Sequence, residues 1–219
     1  MSGLKLVIGN KNYSSWSLRP WLLLTHAGIA FDEVRIGLFT ATYRDEIARY
    51  SPAGKVPVLL DGPLTVWDSL AICEYVAEKF PDKALWPRER AARARARSVA
   101  AEMHSGFGTL RTHLPMNVRA HLPGRGHRRD VLAEAARIAE SWLDCRTRFG
   151  AEGPFLFGAF SCADAMYAPV CSRFATYAVP LPDAARRYVD TILALPAMQT
   201  WSSAARAESE VLEEDEPYA

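Results

Sequence analysis

Strand-like patterning in this chain stops at Phe80. Before that point, alternating apolar and polar runs are interleaved with short helical stretches. Beyond the proline-marked segment "FPDKALWPRE" (80–89), every periodic stretch reads as helix. A chain of 219 residues that confines its strands to its first 80 can build one small sheet, and the remainder must pack as a helical body beside it.

Within the first part, "LKLVIG" (4–9) is a strand and "SLRPWLLLTHAG" (17–28) a helix closed by Gly28. "FDEVRIGL" alternates as a half-buried strand should, "YRDEIARY" is a short polar helix, and "PVLLDGPLTVWD" reads as two strands around an Asp61-Gly62 turn. In "SLAICEYVAEKF", Leu70, Cys73, Ala77 and Phe80 recur at helical spacing. The predicted order is βαβαββα over residues 1–80, followed by a linker over 81–87. An all-α domain is expected over 88–207, with helices at 88 to about 120, about 126–149, 161–177, 183–194 and 197–207. The acidic stretch 208–219 is weakly periodic and reads as a frayed tail.

Charge narrows the partners. Lys and Arg total 26 against 25 Asp and Glu, a formal net charge of +1, which offers no bulk attraction to nucleic acid or anionic lipid. "RERAARARAR" sets Arg90, Arg93 and Arg97 on one helical face without interleaved aromatics, so a solvated or subunit-facing helix is expected rather than a nucleic-acid patch. The opening "MSGLKLVIGNKN" has too short an apolar run for a signal peptide, and no stretch approaches the roughly 20 apolar residues of a membrane span. A cytoplasmic protein with no membrane and no nucleic-acid partner is the expectation. Cys73, Cys145, Cys162 and Cys171 lack metal-ligand and C-x-x-C spacing and are expected to be buried thiols; no metal is expected.

Three places carry candidate chemistry. In "NYSSWSLRPW" three serine hydroxyls and an arginine fall where strand gives way to helix, and Ser14 or Ser17 in that position also suits plain capping. In "GKVPVLLDG", Pro57 opens a strand, where an ordinary trans bond and a cis bond exposing the Val56 backbone to an extended ligand are equally open. Asp68-Ser69 begins a helix, where the pair caps free N–H groups or, with those groups, receives a carboxylate and an ammonium. In the helical part, "FSCAD" reads as a capping box from Ser161 to Asp164 with Phe160 as staple.

Together, "KVPVL", "DSLAICEYV" and "GAFSCADA", in this order along nearly the whole chain, resemble the glutathione S-transferase family. The resemblance implies a thioredoxin-like N-terminal domain, an all-helical C-terminal domain, glutathione as co-substrate and a homodimer. It implies a cis bond at Val56-Pro57, pairing of the Val56 backbone with the cysteinyl part of glutathione, and Asp68 and Ser69 on the γ-glutamyl group. Lys55 is implied, less firmly, beside the far carboxylate. "SSWS" is similar to the zeta-class "SSCS" pattern with Trp16 in place of cysteine, and Arg19 fits that pattern. This implies a hydroxyl at the glutathione sulfur, with Ser14 first, Ser15 second and Tyr13 third.

The energetics accommodate a hydroxyl there. Lowering a thiol from about 8.5 by about two pKa units needs roughly 2.7 kcal/mol, against about 0.3–1 kcal/mol from a helix N-terminus and about 1.5–3 kcal/mol from a hydrogen bond to a charged acceptor. Since "NYSSWSLRP" holds no cysteine, a mixed disulfide with the site is excluded there. The resemblance also places Trp16, His104, Phe107 and Arg111 beside the electrophile. The expected activity is conjugation of the glutathione thiolate to a small electrophile. Two alternatives stand beside it: a zeta-like cis-trans isomerase of maleylacetoacetate type, and a non-catalytic binding protein. Against the isomerase stand Trp16 and the spacing of Arg173 from Asp164.

Overall fold

The structure, a computed structural model, describes residues 3–218, so residues 1, 2 and 219 of the outer segments lie outside it. The first part runs β1 (Leu4–Ile8), α1 (Ser15–His26), β2 (Asp32–Arg35), α2 (Tyr43–Ala48), β3 (Val58–Asp61), β4 (Leu64–Trp67) and α3 (Ser69–Lys79). The four strands form one sheet in the order β2-β1-β3-β4, with β1 and β2 parallel and both other pairs antiparallel. Both faces of β1 are buried: Leu4, Leu6 and Ile8 join the core under α1 and α3, while Val7 packs with Ile36, Ile47 and Val58 under α2. The two-residue hairpin loop is Gly62-Pro63 rather than Asp61-Gly62. Asp61 still pairs with Leu64, and Gly62 takes the positive φ of 57° that the turn demands. Helix α1 starts at Ser15, two residues earlier than expected, because Ser17 turns inward and accepts from Gly9 N at 3.1 Å instead of capping the helix.

The second part contains α4 (Arg90–Ser105), α5 (Gly108–His113), α6 (Arg129–Phe149), α7 (Cys162–Tyr177), α8 (Asp183–Leu193) and α9 (Pro196–Ala207). The helix expected over 88 to about 120 is therefore two helices, and residues 114–120 are not helical. Gly106 leaves helical space at ψ −167°, and a Cβ there would stand 2.7 Å from the Glu102 carbonyl oxygen; Phe107 follows in the left-handed region at φ 56°. Every residue of α7 except Ala175 is buried, because the helix packs against α1, α4 and α8 at once. The expected capping box is present at its start, with Asp164 accepting from Ser161 N at 2.9 Å.

One continuous apolar core runs through both parts, from Leu6 and Leu22 to Trp142 and Trp201. Arginines on two sides of α4 fasten that helix to its neighbours: Arg97 chelates Glu74 of α3 at 3.0 and 3.1 Å, and Arg95 reaches Asp144 of α6 at 2.8 Å. All four cysteines are free and buried. Among the described residues, no helix is long and apolar enough to cross a membrane.

The acidic tail does not fray. Glu208 accepts from the backbone N–H groups of Lys11 and Asn12 at 2.8 and 3.0 Å, and Tyr218 donates to His113 O at 2.9 Å. Charged residues without periodicity are held here by partners far away in sequence, which no local pattern encodes.

Candidate functional site

The chain leaving β1 is locked before α1 begins. Asn10 accepts from Leu38 N at 2.7 Å with its side chain and from Ser14 N at 2.8 Å with its carbonyl, and Asn12 binds Asn117 and Arg119 N at 2.9 Å each. Both asparagines are fully buried. This holds Ser14 at the N-cap of α1, where its side chain caps nothing and instead donates to Ser17 Oγ at 2.7 Å. The positive end of α1 is thus left without a side-chain cap. Ser15 Oγ accepts from Arg173 Nη2 at 3.2 Å, so its own hydrogen stays available. Tyr13 also lines the larger cavity, but its hydroxyl is engaged by Glu216, and burial first, then that carboxylate, pushes its pKa up.

Two adjoining cavities meet at this tip. One, of about 270 Å³, is bounded by Lys55, Val56, Pro57, Asp68, Ser69 and His104; the other, of about 530 Å³, by Ser14, Ser15, Arg111, Met116, Arg173 and Asp215, among others. Trp16, Lys55 and Val56 line both. The Val56-Pro57 bond is cis, and Val56 precedes the β3 ladder, which begins at Val58. Asp68 is the N-cap of α3 in a positive-φ conformation (φ 75°), which costs a non-glycine residue on the order of 1–3 kcal/mol. One of its oxygens accepts from Leu70 N and Ala71 N at 2.9 and 3.2 Å, and the other lies 3.1 Å from His104 Nε2.

Behind these walls stand two buried arginines. Arg19 stacks on Trp16 at 4.2 Å and reaches Ser69 Oγ at 3.5 Å, yet its Nε and Nη2 have no partner. Arg173 donates to Leu114 O at 2.7 Å and to Ser15, leaving Nη1 unpaired. Burial, followed by repulsion from Arg173 and Arg111, lowers Arg19 to about 9, and burial, followed by repulsion from Arg111, lowers Arg173 to about 10. Buried cations with unused donors make the region receptive to anions.

Of the residues singled out from sequence, the structure gathers Ser14, Ser15, Trp16, Lys55, Val56, Pro57, Asp68, Ser69, His104 and Arg111 around the paired cavities. It does not bring Phe107 there. The family resemblance put Phe107 beside the electrophile with His104 and Arg111, but after the break at Gly106 it lies in the apolar core, where it is 9% exposed. His104 lies on the Asp68 side instead of the Ser14 side. Sequence reasoning missed Asn10, Asn12 and Asp215, and counted Arg173 against one reading when it stands beside Ser15. Two asparagines closely flanking a serine pair were the available signal for the first two; nothing local marks Asp215.

Fold and site together define a two-part protein in which a thioredoxin-like sheet domain offers two helix tips and a cis-proline edge to a ligand, with a helical domain closing the second cavity. The sequence model described as "Glutathione S-transferase, N-terminal domain" matches residues 13–79. The "Probable maleylacetoacetate isomerase" of Caenorhabditis elegans is 30% identical over 110 residues, covering 50% of this chain and 51% of that protein. A dichloromethane dehalogenase of Methylorubrum extorquens is 43% identical over 60 residues, covering 26% and 21%. The chain thus spans about half or less of the length of these curated relatives. Among solved structures, a Burkholderia glutathione transferase homolog with bound glutathione superposes with a TM-score of 0.68 at 25% identity, over 94% of this chain and 99% of that one. Residues 13–79 thus match the N-terminal domain of glutathione S-transferases, and the chain as a whole shares its fold with the Burkholderia homolog.

Proposed function

We propose that the protein is a glutathione transferase: glutathione lies in the cavity bounded by Val56, Asp68 and Ser69, and its thiolate attacks a small electrophile held in the cavity bounded by Arg111, Met116 and Arg173. The observation that carries this reading is the joining of the two cavities at Trp16, Lys55 and Val56, with Ser14 and Ser15 next to Trp16 in the wall of the larger one. The Val56 backbone before the cis proline pairs with the cysteinyl part. Ser69 and the N-terminus of α3 receive the γ-glutamyl carboxylate, and Asp68 receives its ammonium. Lys55 lies toward the other carboxylate. The Ser14 and Ser15 hydroxyls, with the uncapped tip of α1, stabilise the thiolate. Ser14 must give up its bond to Ser17 to do so, whereas the Ser15 proton is already free.

The test is turnover of 1-chloro-2,4-dinitrobenzene with glutathione. Replacing both Ser14 and Ser15 by alanine is expected to lower kcat/KM by about 100-fold or more while glutathione affinity stays within about threefold; unchanged turnover overturns the assignment. A non-catalytic binding role predicts glutathione binding with no turnover in the unaltered protein.

One observation favours the isomerase reading as a second: Arg173, with a free Nη1 beside Ser15, is placed to hold a carboxylate of a maleyl compound. Similarity to the Caenorhabditis elegans protein supports it. Glutathione-dependent isomerisation of a maleyl substrate, lost in Arg173→Met, is the outcome it requires. We also take the protein to be cytoplasmic and a homodimer.

A further inference from the structure

The cavity beside Ser14 and Ser15 takes its walls from both domains and, at one point, from the C-terminal segment. Lys55, Arg111 and Arg173 are its cations, and Asp215 is the one carboxylate among its described lining residues. The segment is fastened on both sides of Asp215. Before it, Glu208 caps the Lys11 and Asn12 amides, and Glu210 pairs with Arg35 at 2.5 Å. After it, Glu216 binds the Tyr13 hydroxyl, and Tyr218 donates to His113 O. Arg119 ties the two ends together, donating to Glu210 O at 2.8 Å and lying 3.6 Å from Glu216. Asp215 is therefore presented by a strap and not by a loose end.

Its side chain makes no hydrogen bond to Arg173, whose Nη1 stays unpaired, so the two interact through space. Burial raises the Asp215 pKa and Arg173 pulls it back. A half-buried carboxylate facing the buried Arg173 guanidinium offsets its charge without using its donors. Any second anion entering the cavity keeps those donors but meets a like charge.

The geometry points to Asp215 as the residue that sets the charge preference of the electrophile cavity: it acts as a built-in counter-anion that disfavours negatively charged electrophiles relative to neutral ones of the same shape. The inference rests on the reading that this cavity receives the electrophile.

Two aryl chlorides of equal chemistry test it: 1-chloro-2,4-dinitrobenzene and 4-chloro-3,5-dinitrobenzoate. In each, the glutathione sulfur bonds to the ring carbon, chloride leaves with the electron pair, and the thiol proton passes to solvent. For Asp215→Asn, KM for the benzoate is expected to fall roughly tenfold, with KM for the neutral chloride and for glutathione within about twofold of the unaltered protein. Asp215→Glu, which keeps the charge, should behave as the unaltered protein. The inference is overturned if both chlorides shift together, which marks a structural effect, or if neither shifts. Should the unaltered protein turn over neither chloride, the transferase reading fails on its own. Binding of 3,5-dinitrobenzoate, followed by tryptophan quenching, then decides the role of Asp215: roughly tenfold tighter binding to Asp215→Asn supports it, and equal binding overturns it.

Discussion

At the scale of single residues, Asp68 has two separable jobs. One oxygen caps α3 and the other faces the smaller cavity beside His104. Asp68→Asn keeps an acceptor for the cap and removes the charge, so stability should hold within about 0.5 kcal/mol while KM for glutathione rises by about tenfold. Asp68→Ala should lose about 1 kcal/mol of stability as well. Urea midpoints and KM measured on both variants separate the jobs, and an unchanged KM in the asparagine variant removes Asp68 from ammonium recognition. The cap was legible in sequence, because Asp before an apolar periodic run is a local signal. The His104 contact was not: it joins α3 and α4 through packing, and the family resemblance had assigned that imidazole to the other cavity.

At the scale of elements, α7 depends on a fully buried carboxylate. Asp164 accepts from Leu156 N, Ser161 N, Ser161 Oγ and Tyr188 Oη at 2.9–3.1 Å, and burial nevertheless pushes its pKa up to about 6. Asp164→Ala leaves these donors unsatisfied and should cost about 3–5 kcal/mol in chemical denaturation. The sign of the pH effect follows from the raised value. Between about pH 4 and pH 6 the unfolded chain has released this proton and the folded chain retains it. The contribution is therefore complete below about pH 4 and lost as pH rises through about 6, amounting to about 3 kcal/mol. Denaturation midpoints of the unaltered protein and of Asp164→Asn across that range check it, since the asparagine variant should lack this slope. The capping box was visible as "FSCAD", but its deep burial follows from α7 packing on three helices. The α4–α5 break makes a second element-scale prediction. In Gly106→Ala the new Cβ meets the Glu102 carbonyl, which should destabilise by about 1–3 kcal/mol in thermal or urea melts.

At the scale of the whole molecule, the two parts share one core, with α1 packed on α7 and Trp201 Nε1 donating to Lys11 O at 2.9 Å. Unfolding followed by tryptophan fluorescence and by far-ultraviolet circular dichroism should therefore give one coincident transition. Residues 1–87 alone should fail to fold cooperatively, because the apolar face of α1 that meets α7 would lie bare; a stable isolated fragment contradicts this. Local periodicity, capping residues and turn chemistry determined the order of most elements, the strand-to-helix division and the cap at α3, because each depends on neighbours a few residues apart. The cis geometry at Pro57 entered through the family resemblance, since spacing left it open. Tertiary structure alone decided that Arg173 and Asp215 face Ser15 across one cavity, that Phe107 leaves it, and that the acidic tail straps down. Those outcomes depend on which buried charges and hydrogen-bond donors meet across up to about two hundred residues of chain, and an ion's preferred partner is set by distance and dielectric, which a local pattern does not carry.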